Sequence, residues 1–339
     1  MIKKDISIVK AIGIILMVIG HSGCPKVLHD FIYQFHMPLF FIMSGMCLKE
    51  DTISNYIVKK IKGIWCPYVK YGVVFLLLHN ILFRLNVYSS ASAYLDAGTT
   101  LYTASDYLTN FSKVIRMTGS EPLLVGFWFL HELFWASIIN VIVMKVIRNK
   151  YAVLSVLLAI TFFLNIFNIR IPIIGISTTT LLSALFFQIG YCFRDLKMSN
   201  FIFPVTLLLM VIGINYGADS MHVLNSAQII PYVLVATICT FAVKKFSTML
   251  VEKWGVVSST LISIGNKTFT IFVWHVVTFK LVSLLLIQVY DLPIVSLSEF
   301  PVIDKYASEG WWIIYSMVGV VIPLSFNILF TKVKKISIA

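Results

Sequence analysis

Five residues stand where an apolar chain should not carry them. Lys10 and His21 share an apolar run with ten residues between them, a helical rise of about 16 Å at ~1.5 Å per residue. His36 lies in a second apolar run, two residues before Pro38. Glu132 follows His131 in GFWFLHELFW, and His275 lies within GNKTFTIFVWHVVTFK. Ionisable side chains in lipid-length segments are costly and mark functional sites by default. A carboxylate such as Glu132 costs about 2.5–3.5 kcal/mol on insertion scales, so it must pair with a histidine or lysine, or hold a proton. Imidazole suits proton transfer near neutral pH, and a buried histidine can take the proton of a hydroxyl attacking an acyl group.

Each residue also has a plainer account. A lone histidine can simply bond to another helix, and Lys10 can be a snorkelling anchor. Trp128 and Trp135, four and three residues from Glu132, make either a sugar-stacking wall or a packing stripe. Pro38 lacks an N–H and leaves the Gln34 carbonyl without its usual partner, which gives a polar notch beside His36 or a simple kink. In YIVKKIKGIWCPYVKYG, Lys59, Lys60, Lys62 and Lys70 can hold the phosphates of a nucleotide-like cofactor or anchor the membrane face. His79 and His222 read as interfacial residues, and His29 as a loop residue.

The elements that must position these residues are helices in lipid. The chain has 339 residues, 59% hydrophobic and 12% charged, with a mean hydropathy of +0.90. That defines an all-α polytopic membrane protein and excludes a soluble domain. Apolar stretches predict about ten transmembrane helices, near 6–23, 30–48, 66–85, 123–144, 151–168, 173–192, 201–217, 228–244, 262–288 and 311–331. With both termini cytoplasmic, the inner segments hold 18 of the 27 basic residues and the outer segments most of the acids. The net charge of +12 is therefore an orientation signal and not a nucleic-acid footprint. This arrangement puts His21, His36, Glu132 and His275 in the central or outer part of the bilayer. The outer segments 86–122 and 289–310 are long enough to be lids, acceptor platforms or connectors. Five scattered cysteines lack metal spacing, and no metal is expected. Lys10 interrupts the first apolar run, so it reads as an uncleaved span and not a signal peptide.

These residues resemble the acyltransferase 3 family of membrane O-acyltransferases. The likeness rests on Lys10, ten residues and His21; on FHMPLFFIMSG, residues 35–45, which supplies His36; on FWFLHELF; on ISIGNKTFTIFVWH, ending in His275; and on the basic run before Cys66-Pro67-Tyr68. Asp5 in KKDISIVKAIG also fits the family's opening stretch. The similarity covers the whole chain, 1–339, as a single transmembrane domain with no appended soluble domain. It is nearest the stand-alone members that are fucose 4-O-acetylase-like.

The resemblance implies an acetyltransferase of the bacterial inner membrane. Acetyl-CoA would bind from the cytoplasm, with its phosphates near Lys59, Lys60, Lys62 and Lys10. The acceptor would be a hydroxyl of a surface polysaccharide or lipid-linked glycan. His21 would serve as general base or transient acyl carrier, and His36 would orient the acyl group or stabilise the oxyanion, with Glu132 and His275 in support. Homo-oligomerisation is left open. The rival is a transporter or flippase for a polyprenyl-linked sugar or small metabolite. The chain has no internal repeat of the Lys10/His21/His36 pattern, which weakens that rival.

Overall fold

The computed structural model describes residues 4–49, 51–90, 98–196, 199, 204, 221 and 224–336, of which 327–336 as backbone only. Among them all regular structure is helical, apart from an isolated bridge between Ile171 and Ile176. In chain order the helices are α1 (Lys4–Gly20), α2 (Lys26–Tyr33), α3 (His36–Met46), α4 (Ile53–Lys60), α5 (Cys66–Arg84), α6 (Ala104–Ile115), α7 (Trp128–Val146), α8 (Lys150–Ile166), α9 (Thr178–Cys192), α10 (Ser226–Lys253), α11 (Gly255–Gly265), α12 (Thr268–Tyr290) and α13 (Trp312–Ile336). A π turn, Ile61–Trp65, joins α4 to α5, and a 3₁₀ stretch, Pro122–Phe127, leads into α7. Local sequence sets several starts: the Asn149 side chain accepts from the N–H groups of Tyr151 and Ala152, and Asn225 forms a capping box with Gln228.

Five helical stretches are long and apolar enough to cross a bilayer: Ile53–Arg84, Pro122–Val146, Ser226–Lys253, Thr268–Tyr290 and Asp304–Phe326. The protein is thus a multi-pass all-α membrane protein. Among the described residues these five are fewer than the ten spans expected from the sequence, and several of the expected stretches are shorter or divided. α1 and α8 have 17 residues each and α9 has 15. The stretch 30–48 divides into α2 and α3 at Phe35 (φ −144°, ψ −15°), and 262–288 divides between α11 and α12 at Asn266-Lys267. The expected span 201–217 and His222 lie outside the described residues.

The break at Phe35 changes the role of Pro38. It stands in the first turn of a new helix, where no intrahelical N–H is required of it, so it makes no notch in mid-span. Segment 86–122 also departs from an outer loop. α6 returns along α5: Tyr102 meets Asn80 near one end, while at the other the Trp65 indole N–H donates to the Ile115 carbonyl (3.0 Å) and the Tyr68 hydroxyl to that of Gly119 (2.8 Å).

α1 is buried on most sides, against α3, α10, α11, α12 and α13. Its apolar residues leave no polar face, as expected of a helix enclosed by others. Glycines let the backbones touch. A Cβ on Gly190 would lie 2.0 Å from the Ile42 carbonyl oxygen of α3, and one on Gly265 would lie 1.8 Å from that of Ser7 in α1. The basic loop residues gather at one end: Lys150 donates to the Cys192 carbonyl (3.1 Å), Arg194 to that of Leu48 (3.4 Å), and Lys244 to that of Arg194 (3.4 Å).

Candidate active site

His21 sits on the turn just past α1, its backbone N–H still bonded to the Met17 carbonyl (3.1 Å). Its Nδ1 lies 3.0 Å from Nε2 of His275, in the second turn of α12, with the rings stacked at 5.2 Å. Nδ1 of His275 lies 2.9 Å from the Phe272 carbonyl oxygen. A carbonyl only accepts, so that nitrogen carries the hydrogen and His275 Nε2 offers a lone pair. His21 Nδ1–H donates to it, which leaves Nε2 of His21 as the free basic nitrogen. His275 is fully buried, whereas His21 is half-buried. The start of α12 is tied to α1 by the Ser7 hydroxyl, which donates to the Asn266 side-chain oxygen (3.1 Å).

His36 is buried at the start of α3, against the Tyr33 ring (4.9 Å). Its Nδ1–H donates to the Ile32 carbonyl (2.8 Å), an acceptor exposed by the break at Phe35. Its Nε2 therefore presents a lone pair, and stabilising an oxyanion would require a second proton on the ring.

A cavity of about 350 Å³ runs below the three histidines. α1 lines it with Ile6, Lys10, Ile14 and Met17, and α3 with Met37, Phe40, Met43 and Ser44, followed by Cys47 just past its end. On α12 the lining residues are Thr268, Phe269 and Phe272. Continued at helical spacing, these three stripes arrive at His21, His36 and His275. The gap of ten residues between Lys10 and His21 is about three turns, so both lie on one face of α1. The cavity consequently has a lysine towards one end and the histidines beyond the other. Phe129 and Phe272 form an aromatic wall between, with ring centroids 6.1 Å apart.

The basic cluster divides. Gly63 and Ile64, on the π turn, line the cavity. Lys59, however, donates to Asp51 (2.6 Å) and holds that carboxyl below its usual range. Lys60 lies over the rings of Tyr56 (5.1 Å) and Phe187 (6.0 Å), and Lys62 is exposed. Lys10 makes no ion pair among the described residues.

Glu132 belongs to a different cluster. It is buried, with Oε1 3.3 Å from Nδ1 of His131, and its Oε2 has no hydrogen-bond partner. Nε2–H of His131 donates to the Ile174 carbonyl (2.7 Å) in the loop between α8 and α9. The α7 residues lining the cavity are Phe129, Leu130 and Leu133, so Glu132 flanks that face. Trp128 and Trp135 pack against the apolar core, which makes them a packing stripe.

Two features escaped sequence reasoning. His79 is buried between the Glu121 carboxylate (2.8 Å) and the Thr100 carbonyl (3.0 Å), with Tyr102 stacked on it at 3.4 Å. It pins the segment that carries α6 and does not merely mark an interface. Lys280, buried in α12, donates to the Glu299 carbonyl. The segment it holds covers the end of α1: Ser316 donates to Ser22 (2.9 Å), and Gly23, at φ +75°, packs against Ala307 and Val302. A lysine interrupting an apolar span was a visible signal at position 280. His79 and Glu121 are 42 residues apart and offered none.

A multi-pass helical membrane protein with a histidine pair above an apolar cavity is the class these features define. The family model for the acyltransferase domain Acyl_transf_3 matches residues 3–330, and the chain belongs to that family. It is a membrane acyltransferase. No curated protein and no solved structure matches it.

Proposed function

We propose that the protein transfers an acetyl group from acetyl-CoA to a carbohydrate hydroxyl across the cytoplasmic membrane of a bacterial cell. The observation that carries this reading is the alignment of Lys10, in the lining of one cavity, with the three histidines beyond its other end. A donor with an anionic head and a distal thioester matches a cavity with a cation near one end and a base beyond the other. The basic end faces the cytoplasm on the positive-inside rule, which admits the donor from there. Lys10 and Lys62 are the lysines free to meet its phosphates, because Lys59 is engaged by Asp51.

In the reaction, the acceptor oxygen attacks the thioester carbonyl while His21 Nε2 takes its proton. The imidazolium is held by its Nδ1–H bond to His275. The tetrahedral oxyanion collapses, the carbon–sulfur bond breaks, and the proton passes from His21 to the departing thiolate. The Phe272 carbonyl keeps His275 in the tautomer that accepts from His21. In a two-step variant His21 Nε2 attacks the thioester and the carbon–sulfur bond breaks to release the thiolate; the acceptor hydroxyl then displaces the imidazole from the acyl group, and its proton neutralises the thiolate.

The test is acetyl-CoA-dependent O-acetylation of glycan by membranes containing His21→Gln. Loss of a general base costs about 10²- to 10⁴-fold, so acetylation should fall to background with the protein correctly inserted. Acetylation at the wild-type rate would exclude the mechanism.

A further inference from the structure

A second cavity, of about 480 Å³, opens between the ends of α8, α9 and α10. It lies at the far end of α8 from Lys150, about 24 Å away at ~1.5 Å per residue, and so opposite the basic end. Its lining is largely hydrogen-bonding: Asn165, Arg170, Ser177, Thr178, Asn225 and Ser226 face it, over a floor of Leu182 and Ile229. Among the described lining residues Arg170 is the sole charge, and none of them carries a carboxylate. Arg170 has no ion-pair partner among the described residues.

Two arrangements hold this lining in place. Asn165 bridges α8 to the start of α10, donating to the Leu224 carbonyl (2.9 Å) and accepting from the Ser226 hydroxyl (2.7 Å). The loop bearing Arg170 and Ser177 is fastened by His131, which donates to the Ile174 carbonyl. Gly175 there adopts φ +70°, and a Cβ on it would meet the His131 ring at 3.0 Å. The costly His131–Glu132 pair thus supports this loop.

The cavity is close to the histidines but separate from them. Ile229 of its floor is one turn from Tyr232, whose hydroxyl donates to the Tyr33 carbonyl (3.3 Å). The Tyr33 ring lies against Gly20, the residue before His21, where a Cβ would meet it at 3.0 Å. One aromatic layer divides the groove from the catalytic end of α1. A groove lined by amides and hydroxyls with one unpaired guanidinium is suited to a polyhydroxylated ligand carrying an acid group, which Arg170 can engage through two N–H groups.

We propose that this groove binds an acidic sugar unit of the acceptor glycan, remote from the hydroxyl that is acylated. The inference rests on the reading of the protein as a carbohydrate acyltransferase. It makes Arg170 a specificity determinant and gives the acceptor a foothold outside the reaction centre.

The experiment measures equilibrium binding to the full chain in phosphatidylcholine nanodiscs. His21→Gln protein is used so that no turnover interferes. The probes are a glucuronate-terminated disaccharide, its neutral counterpart and inorganic phosphate. The acidic disaccharide should bind at least tenfold more tightly than the neutral one. Arg170→Gln should remove that preference, and Thr178→Trp, which fills the groove, should weaken both sugars. Arg170 is exposed on a loop, so its substitution leaves the packing intact. Equal affinity for the two sugars, or an unchanged preference in Arg170→Gln, overturns the proposal. So does competition by phosphate as strong as by the acidic sugar, which would mark a plain anion site. Loss of sugar binding when the nanodiscs contain phosphatidylglycerol would assign the groove to a lipid headgroup. Because binding is read without turnover, its failure leaves acyl transfer standing, and a failure of acyl transfer leaves the measured binding intact.

Discussion

Replacing His275 tests whether the His21–His275 hydrogen bond acts in catalysis. The ring of His275 offers its Nε2 lone pair at 3.0 Å to Nδ1–H of His21. As His21 takes a proton that bond becomes charge-assisted, and such bonds contribute about 1.5–3 kcal/mol. At 1.36 kcal/mol per tenfold, His275→Leu should lower kcat by about 10- to 160-fold. KM for acetyl-CoA should change little, since His275 lies beyond the cavity lining and not in it. His275→Gln places an amide oxygen near the lost Nε2 and should recover part of the rate, which loss of packing alone would not allow. The assay follows radiolabelled acetyl transfer from acetyl-CoA to glycan by purified protein in nanodiscs, with folded fraction measured in parallel. A wild-type kcat in His275→Leu, or equal loss in Leu and Gln variants, would refute the relay.

Lys10→Gln should raise KM for acetyl-CoA by about tenfold, the order expected for one charged hydrogen bond, while Lys59→Gln should change it less because Asp51 already engages that ammonium. Steady-state kinetics on both variants decides it, and equal effects would mean the phosphates lie elsewhere. Gly190→Ala forces a Cβ to 2.0 Å from the Ile42 carbonyl oxygen, so α3 and α9 must separate. Overpacking of this kind costs about 1–3 kcal/mol or more, which thermal unfolding in detergent should register as a clear drop in midpoint.

The candidate active site was legible because lipid makes polar residues conspicuous. Lys10, His21, His36 and His275 stand out in apolar runs, and the chain brings two of these histidines into contact from positions 254 residues apart. The sequence did not reveal which pairs would form. Glu132 was picked out on the same grounds as His275, yet it pairs with its own neighbour and supports a loop. The ends of helices were less legible than their existence. Apolar composition is continuous through Phe35, so only the backbone reveals that α3 restarts there and turns His36 back onto Ile32. The return of α6 along α5 depends on single hydrogen bonds from Trp65 and Tyr68 to backbone carbonyls, and no periodicity records those.

The three histidines differ in the nitrogen each leaves available, and that difference orders their roles. His275 commits both nitrogens, one to a carbonyl and one to His21. His36 commits Nδ1 to Ile32 and is enclosed on α3, one turn above Phe40. His21 alone combines a free Nε2 with partial exposure, at a chain turn where Gly23 and the segment around Ala307 close over it. The proposed function needs one such group to serve as base, and among the three histidines His21 is the one that meets that need. α1 ends at Gly20, so His21 stands on the turn just past the helix, its ring against that of His275 and its backbone N–H still bonded to Met17.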